Sequence, residues 1–422
     1  MKVNIPRGTY DVIPGNVEKW QYMEEKAHDL ARRYHYEEIR TPMFEHTELF
    51  QRGVGESTDI VQKEMYTFKD RSDRSLTLRP EGTASVVRAF IENKLYGEPQ
   101  QPVKLYYLGP MFRYERPQKG RMRQFSQFGI EAFGSVDPAL DAEVIAMADS
   151  YCKELGLKEV KPVINSLGDM ESREAHRTAL VEHFQARIHE FCSDCQRRLN
   201  QNPLRILDCK VDSGHELMKS APSILEYLNE ESRAFFEQVK QHLDGMDIDY
   251  VIDRNLVRGL DYYNHTAFEM ISFSEKLGAI KAVGGGGRYN GLVEEVGGPE
   301  TPGIGFGLGL DRLLLAMDAE GQALPVDKSI DCYFVAIGEK ASEHIPALLY
   351  RLRQAGLSAD KDYMDKKVKA QFKNADRLNA KFVAVLGEDE LAKGEINIKN
   401  LATGDQETTS LDTLVSYLKE KL

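Results

Sequence analysis

Hydrophobic periodicity defines the first elements of the chain. Apolar residues recur at three- and four-residue steps and predict a helix over residues 17–34. The next stretch, YEEIRTP, predicts a short strand that Pro42 ends or confines to an edge. Polar turns such as KDRSDRS and ERPQKGR separate further short strands, so we expect an antiparallel sheet with attached helices rather than a βαβ series. The predicted strands cover residues 65–69, 75–79, 103–108 and 124–133.

At about residues 166–247 the sequence becomes more polar and its periodicity is helical, which predicts a helical insertion. One helix is expected over residues 181–199, and an apolar one around Phe235, Phe236, Val239 and Leu243. Strand patterns return at 249–253, 264–272 and 279–284. They are followed by GIGFGLGLDRLLLAM, which reads as a glycine-rich strand running into an apolar helix.

Residues 318–329 have the composition of a linker. Beyond them, strand patterns in DCYFVAIG, KFVAVLG, EINIKN and DQETTS alternate with helices at 340–355 and 411–421. This pattern predicts a compact α/β unit. We therefore expect two domains, residues 1–325 with the insertion and residues 326–422.

Composition limits the classes of protein that fit. The chain has 422 residues, of which 41% are hydrophobic and 29% charged, as in ordinary globular proteins. No apolar run approaches the roughly 18–20 residues that span a bilayer, and the N-terminus lacks the apolar core of a signal peptide. We expect a cytoplasmic protein without membrane association. The net charge of −12 means that any nucleic-acid contact needs a local basic patch.

The five cysteines are an odd number and do not suggest a disulfide framework. In HEFCSDC, the side chains of His189, Cys192 and Cys195 have a metal-ligand spacing, and Cys209 could complete a set of four zinc ligands. There is one CxxC motif rather than two, and it lies in a predicted helix. We therefore expect partly buried free thiols and no structural zinc.

The stretch GGGGRYNG, residues 284–291, invites reading as a phosphate loop. It lacks the lysine and hydroxyl of a P-loop. It fits the dinucleotide pattern in one frame only, and the acidic residue of that pattern would fall in the Gly/Pro-rich stretch 297–305. Glycines also admit close approach of backbone or ligand to a strand, which is the interpretation we favour.

Candidate chemistry centres on arginines. In FRYERPQKGRMRQFSQFGIE, residues Phe125, Gln127 and Glu131 share one strand face, with Arg113 on the opposing strand. A solvated, salt-bridged hairpin is the alternative interpretation. Arg258 in RGLDYYN and Arg312 after the GxGxGxG run add two more cations.

Arginines at glycine-rich junctions suit a polyphosphate, because guanidinium groups bind it with bidentate hydrogen bonds and keep their charge. TLRPEGTA supplies Glu81 and Thr83, a carboxylate and a hydroxyl that can bind an ammonium group. This combination predicts activation of an amino acid by ATP.

These motifs together resemble the histidyl-tRNA synthetase family of class II aminoacyl-tRNA synthetases over essentially the whole chain. YEEIRTP, FRYERPQKGRMRQF and GIGFGLGLDR are similar to the three class motifs, and RGLDYYN, GGGGRYNG and TLRPEGT to the histidine-specific signatures. The family usually has fewer glycines in GGGGRYNG and commonly aspartate at Asn290. The resemblance implies an α+β fold: a class II catalytic domain with an antiparallel sheet and flanking helices, a helical insertion, and a C-terminal α/β anticodon-binding domain.

The resemblance implies ligation of histidine to its tRNA through histidyl adenylate, with ATP as substrate and Mg²⁺ bound with it. It implies a homodimer formed through the YEEIRTP region. Arg113, Gln127, Arg258 and Arg312 would be catalytic, and Arg113, Glu115, Arg121, Phe125 and Arg312 would bind ATP. Histidine would be bound by Glu81, Thr83, Arg113, Gln127, Glu131, Arg258, Tyr262, Tyr263 and Tyr289, the last closing over the imidazole.

The tRNA contact would use a basic stretch in the terminal domain. Residues 361–381 contain seven Lys or Arg and three Asp, a net charge of +4. Helical spacing puts Lys366, Lys369, Lys373 and Arg377 on one face, although a merely solvated face is the alternative. An inactive regulatory subunit of histidine biosynthesis is the alternative function. Such a chain should lack the terminal domain and some arginines, and this chain keeps both.

Overall fold

The computed structural model describes residues 3–55, 58–278, 281–322, 324 and 328–422. The chain forms two compact units, Met1–Leu324 and Pro325–Leu422. No helix in the described part of the chain is long and apolar enough to cross a membrane.

The first unit contains eleven strands among its described residues. They are β1 (Glu37–Glu38), β2 (Phe44–His46), β3 (Tyr66–Lys69), β4 (Ser75–Leu78), β5 (Val103–Phe112), β6 (Gln124–Phe133), β7 (Val160–Ser166), β8 (Val251–Ile252), β9 (Asn264–Ser272), β10 (Ala282–Arg288) and β11 (Gly303–Gly309).

Its α-helices are α1 (Val17–Arg33), α2 (Thr47–Val54), α3 (Thr83–Glu92), α4 (Pro138–Glu154), α5 (Met170–Gln185), α6 (Ser193–Gln201), α7 (Glu216–Lys219), α8 (Glu230–Gly245), α9 (Leu292–Glu295) and α10 (Leu310–Glu320). Short turns of 3₁₀-helix lie at Leu95–Gly97, Ile188–Glu190, Pro203–Ile206, Ile224–Glu226 and Glu275–Leu277, and a π-helical turn at Ile60–Glu64.

The central sheet of this unit has eight strands in the order β1-β5-β6-β11-β10-β9-β7-β8. The six inner strands pair antiparallel, as the sequence predicts, whereas β1 and β8 add parallel edges. The predicted strands at 65–69 and 75–79 do not join it. They form a separate three-stranded sheet, β2-β4-β3.

Side-chain alternation along β6 separates the core from the site. Phe128 and Ile130 are fully buried in a cluster with apolar residues of α1, α4 and α10. Phe125, Gln127 and Glu131 point to the other face, since strand side chains alternate. The hydrophobic face of β6 thus holds the strand against helices while its polar face remains available for chemistry.

The insertion between β7 and β8 divides into two parts. Residues from α5 to α7 form a small core of their own, with Leu180, Phe184 and Leu199 among its members. In contrast, Phe236 and Val239 of α8 join the main core with α4. The predicted helix over 181–199 is wrong as a single element, because α5 ends at Gln185 and α6 begins at Ser193.

Asp212 explains that break. Its carboxylate accepts hydrogen bonds from the backbone N–H of Cys192 at 3.1 and 3.3 Å, so this N–H is not available to a continuous helix. Cys192 has extended backbone angles, φ −61° and ψ 158°, as the residue preceding α6. Asp212 lies 20 residues after Cys192, so the apolar periodicity of the segment could not reveal this contact.

The second unit is a five-stranded sheet with four helices among its described residues. Its strands are β12 (Cys332–Ile337), β13 (Ala359–Lys361), β14 (Phe382–Gly387), β15 (Glu395–Asn400) and β16 (Gln406–Ser410), in the order β13-β12-β14-β15-β16. The first three strands in this order are parallel and the last two antiparallel. The helices are α11 (Glu339–Gln354), α12 (Val368–Arg377), α13 (Glu388–Lys393) and α14 (Leu414–Lys421).

Several observed boundaries of strands, helices and the linker differ from the predicted ones. The YEEIRTP strand shortens to two residues, and the strand predicted at 249–253 shortens to Val251–Ile252. The strand predicted at 279–284 is observed as β10, and residues 279–280 lie outside the described residues. The predicted linker begins inside α10, which ends where Gly321 adopts the left-handed conformation, φ +71°. Linker residues 323 and 325–327 lie outside the described residues.

Candidate functional site

A cavity of about 570 Å³ opens on the polar face of the central sheet. This volume is within the range of small-molecule sites. Every residue for which the family resemblance implies ATP binding lines it, together with Gln127 and Arg258. These residues are Arg113, Glu115, Arg121, Phe125, Gln127, Arg258 and Arg312.

Arg113 and Phe125 face each other across the hairpin formed by β5 and β6. Arg113 follows the last residue of β5, and its Nε donates to the carbonyl oxygen of Pro80 at 2.8 Å. Its guanidinium lies 5.3 Å from the centre of the Phe125 ring. A fixed cation and a flat apolar surface are thus presented side by side.

Arg312 is anchored by backbone groups rather than by an acid. Its Nε donates to the carbonyl of Gly120 at 3.1 Å and its Nη1 to that of Ala282 at 3.0 Å. Burial lowers the pKa of Arg312, and the positive charges of Arg121 and Arg113 lower it further. The cavity therefore concentrates like charges, an arrangement that a polyphosphate would stabilise.

Arg258 is a partly buried cation of the cavity. Its Nη1 donates to Glu269 Oε1 at 2.6 Å, and its guanidinium lies 5.4 Å from the centre of the Tyr263 ring. Its Nε is buried without a hydrogen-bond partner in the described part of the chain. An unpaired buried donor of this kind is costly unless a ligand accepts from it.

Sequence reasoning missed Glu269, the partner of Arg258. The signal was present in NHTAFEMIS, where a carboxylate stands between the apolar residues Phe268 and Met270 of the strand. Phe268 and Met270 are fully buried, so alternation turns Glu269 to the polar face.

Glu131 forms the centre of a buried polar cluster behind the cavity. Its carboxylate accepts hydrogen bonds from the hydroxyls of Thr83 at 2.7 Å, Tyr107 at 3.5 Å and Tyr289. Burial raises the pKa of Glu131 to about 8, and the nearby charge of Glu81 adds to the effect. Because this pKa lies near neutral pH, both the protonated and the ionised carboxyl group are accessible there, a property suited to an imidazole partner.

Tyr262 and Tyr263 lie in the same cluster. The ring centres of Tyr262 and Tyr263 are 4.5 Å apart, and Tyr262 meets Tyr289 edge to face at 5.7 Å. Tyr263 also contacts Arg258, so it joins the cluster to the cavity. Within the described residues, the Tyr262 hydroxyl and Gln127 Oε1 are buried without hydrogen-bond partners.

Tyr107 is a further member that sequence reasoning missed. It is buried, and its ring fills the space left by Gly82 and Gly129, where any Cβ would overlap the ring. Its apolar strand setting gave no sign of a polar role.

Glu81 and Thr83 lie at the start of α3. The two carboxylate oxygens of Glu81 accept from the backbone N–H groups of Thr83 and Ala84, each at 2.8 Å. Such capping fixes the carboxylate in place. Burial raises the pKa of Glu81, whereas the backbone hydrogen bonds lower it.

The glycines of GGGGRYNG admit neighbouring strands. Gly284 to Gly287 pair with Leu308 to Gly305 of β11 and also with β9, and a Cβ on Gly284 or Gly286 would overlap the β11 backbone. A Cβ on Gly285 would lie 2.7 Å from Arg258 Nη1, within a cavity wall. The run is therefore a tightly packed strand beside the cavity rather than a phosphate loop.

Arg288 and Tyr289 of the same motif make contacts with different parts of the first unit. Arg288 forms a fully buried ion pair with Asp141 of α4 and donates to the carbonyl of Ser135 at 2.8 Å. Tyr289 belongs to the buried cluster, where its hydroxyl donates a hydrogen bond to Glu131. Asp141 was not recognised from sequence, since its partner is 147 residues away.

The basic stretch of the second unit is only partly helical. Lys369, Lys373 and Arg377 are exposed on α12 and form no ion pair among the described residues. The expectation that Lys366 shares this helical face is wrong. Lys366 precedes α12, and its backbone N–H is held by Asp362 at 2.7 Å.

The cavity brings Arg113, Arg121, Arg258 and Arg312 together over the polar face of an antiparallel sheet, and not on a glycine-rich loop at the edge of a parallel sheet. This fold and site define a class II aminoacyl-tRNA synthetase. The sequence pattern of the histidyl-tRNA synthetase family matches residues 8–313, and that of the anticodon binding domain matches residues 331–421.

Similar proteins agree over the whole length. The chain is 65% identical to the histidine–tRNA ligases of Anoxybacillus flavithermus and of a Geobacillus strain, over 100% of each chain. It is also similar to the crystal structure of apo histidyl-tRNA synthetase from Staphylococcus aureus, with a TM-score of 0.86 and 50% identity over 99% of this chain and 100% of that one. The chain belongs to the histidyl-tRNA synthetase family.

Proposed function

We propose that this chain is a histidine–tRNA ligase that first joins L-histidine to ATP and then transfers the histidyl group to tRNA. The observation that carries this proposal is the buried Glu131 carboxyl beside a cavity lined by four arginines. The cavity suits a nucleoside triphosphate, and the carboxyl group suits an imidazole. An inactive regulatory subunit is not favoured, because full-length relatives at 65% identity are histidine–tRNA ligases and the site arginines are present.

In the first step, a carboxylate oxygen of histidine attacks the α-phosphorus of ATP. A phosphorus–oxygen bond forms as the bond to pyrophosphate breaks. Negative charge builds on the phosphate oxygens, and preoriented cations stabilise it without reorganisation. Arg113 and Arg258 hold the α-phosphate and reacting carboxylate, and Arg312 holds the terminal phosphate.

The remaining cavity residues orient ATP. Phe125 stacks on the adenine, and Arg121, paired with Glu115 at 3.2 Å, contacts the phosphates. Glu115 and Glu269 provide carboxylate oxygens on the cavity wall, a donor type that fits the Mg²⁺ accompanying ATP. Bound with ATP, Mg²⁺ would neutralise phosphate charge.

Histidine recognition uses the buried cluster. Glu131 binds an imidazole nitrogen, and Tyr262, Tyr263 and Tyr289 surround the ring. Glu81, Thr83 and Gln127 hold the amino group and carboxylate region. Buried polar partners left unpaired by other amino acids would disfavour them by roughly 10⁴- to 10⁵-fold.

In the second step, a hydroxyl of the 3′-terminal adenosine of tRNA attacks the activated carbonyl and AMP leaves. We propose that Lys369, Lys373 and Arg377 contact phosphates of the anticodon region, with Lys366 beside them. Three exposed cations on one helix without ion pairs in the described chain support this role.

We further propose a cytoplasmic homodimer. Met43, Phe44 and Phe68 are about half exposed on the small sheet that follows YEEIRTP. Neighbouring apolar side chains of this kind favour a protein interface. A second copy of the chain is the partner that the family resemblance implies.

Truncation separates the two steps. The first unit has its own core, so a chain ending at Leu324 should fold, make histidyl adenylate and lose most tRNA charging. Pyrophosphate exchange and aminoacylation are compared for both lengths at two salt concentrations. The lost tRNA affinity should carry most of the salt dependence. Equal charging by the shortened chain would refute the role of the second unit.

A further inference from the structure

The insertion contains a cluster of metal-binding side chains that the proposed reaction does not use. The ligand atoms of Cys192, Cys195, Cys209 and Asp212 all lie within 4.8 Å of one another. They come from two chain segments, one at the start of α6 and one after the Pro203–Ile206 turn. His189, which the CxxC spacing had suggested as a ligand, is not a member; its side chain is 74% exposed. Asp212 occupies the fourth place.

We propose that these four side chains form a structural zinc site. Tetrahedral zinc with Zn–S bonds of about 2.3 Å separates two sulfurs by roughly 3.8 Å. The Sγ atoms of Cys192 and Cys209 are 3.8 Å apart, and Cys209 Sγ is 3.3 Å from Asp212 Oδ2. A disulfide needs sulfurs at about 2.0 Å, so these spacings fit a shared ion and not a bond.

The setting also suits thiolate ligands. Cys192 precedes α6 and Cys195 lies in its first turn, where the positive end of the helix dipole stabilises anions. Cys195 and Cys209 are buried in the small insertion core, while Cys192 and Asp212 are partly exposed. Zinc can therefore enter from one side, and the bound ion would be largely shielded from water. This inference replaces the expectation of free thiols without structural zinc.

The zinc site would fix one wall of the reaction cavity. Between Cys195 and Cys209, Asn202 Nδ2 donates to Asp261 Oδ1 at 3.1 Å, and Arg205 Nη1 donates to the backbone carbonyl of Arg258 at 3.1 Å. Asp208 and Lys210 flank Cys209 and line the cavity. Tying the two ends of this segment to one ion would hold the backbone of Arg258 in position.

The decisive measurement is the zinc content of the full-length chain, prepared with reductant and added zinc and then dialysed. We expect about one zinc ion per chain, bound by thiolates. Cobalt substitution should give the intense sulfur-to-metal absorption of tetrahedral thiolate sites. Cys209→Ser should lose the metal, whereas the control Cys152→Ala, a buried cysteine outside the cluster, should keep it. A wild-type chain without zinc, or Cys209→Ser with full zinc content, would overturn the proposal.

A milder variant provides a second test in case Cys209→Ser does not fold. Asp212→Asn keeps the size of the ligand and should weaken zinc in competition with a chelator by more than about tenfold. An unchanged zinc affinity would remove Asp212 from the site and contradict the four-ligand assignment.

The proposed effect of the zinc site on the cavity rests on the proposed function and is tested by a separate measurement. Removal of zinc with a chelator, followed by transfer of the protein to chelator-free buffer with Mg²⁺, should lower histidine-dependent pyrophosphate exchange, and added zinc should restore it. Zinc bound without any effect of chelation on exchange would refute the link alone. Absence of exchange in the zinc-loaded wild type would refute the proposed function while leaving the metal assignment intact.

Discussion

Replacing Glu131 by glutamine keeps the size of the side chain and removes its ability to ionise. Burial raises the pKa of Glu131 to about 8, whereas an ordinary imidazole has a pKa of about 6.5. At neutral pH, free Glu131 is therefore mainly protonated and free histidine has a neutral ring. Transfer of the carboxyl proton to the bound imidazole creates an ion pair without net uptake or release of protons.

This balance predicts the pH dependence of histidine binding. Between about pH 6.5 and 8 the affinity should be flat, because free and bound states carry the same number of protons. Below that window binding must release a proton, and above it binding must take one up. The affinity should then fall by up to about tenfold per pH unit on either side.

Glu131→Gln should weaken histidine binding at pH 7 by roughly 10- to 150-fold, because a charge-assisted hydrogen bond is worth about 1.5–3 kcal/mol. The amide of the glutamine side chain pairs with neutral imidazole and does not ionise. The loss of histidine affinity near pH 8 that ionisation of Glu131 causes in the wild type should therefore disappear in the variant. Any loss of histidine affinity that is due to the amino group of histidine should be the same for the wild type and for Glu131→Gln.

Isothermal titration calorimetry over about pH 5.5 to 9, in buffers of different ionisation enthalpy, measures affinity and proton uptake together. ATP affinity without histidine is the control and should not change. Equal histidine affinities and equal pH profiles for both proteins would refute the role of Glu131.

The same pKa sets the stability of the ligand-free protein. Because the folded-state pKa lies above the unfolded value of 4.5, the folded protein holds an extra proton between about pH 4.5 and 8, and stability falls as pH rises through that window. Relative to Glu131→Gln, the wild type should lose about 2 kcal/mol of unfolding free energy from pH 6 to pH 8. Denaturant titration of both proteins at the two pH values measures this difference, and a constant difference would contradict the raised pKa.

Four further variants test other residues of the site and of the basic helix. Arg258→Ala should slow single-turnover adenylate formation by about 10²- to 10³-fold with little change in histidine affinity, because its charge acts on the transition state; a rate within tenfold of wild type would refute that role. Gly305→Ala forces a Cβ against the carboxylate of the imidazole pocket and should cost about 1–3 kcal/mol of stability, measured by thermal unfolding, whereas Gly245→Ala, with open space around it, should not. Lys373→Ala and Arg377→Ala should each lower the salt slope of tRNA affinity by about 0.7–0.9, and an unchanged slope would mark a merely solvated face.

Local patterns predicted the elements that carry the site. Alternation along β6 and β9 gave the observed bounds of both strands and the shared face of Phe125, Gln127 and Glu131. These features depend on neighbours within one strand, so periodicity alone could reveal them. The class II arrangement with a separate α/β unit was likewise predicted, through motifs quoted from the sequence, and is confirmed.

Contacts between distant segments could not be predicted. Asp141 neutralises the buried Arg288, and Glu269 pairs with Arg258 across a strand and a loop. The break between α5 and α6 depends on Asp212, and no local spacing indicates that contact. To predict each of these contacts, one must know which buried charge or N–H group has no partner within its own segment. That depends on tertiary packing.

We propose that the arginine cavity and the Glu131 cluster activate histidine with ATP. Exchange of labelled pyrophosphate into ATP, measured with the full-length chain and each of the common amino acids separately, tests it most directly. We predict exchange that depends on histidine and is absent with the others, and that Glu131→Gln raises the histidine concentration needed. Exchange supported equally by another amino acid, or none with histidine, would contradict the account.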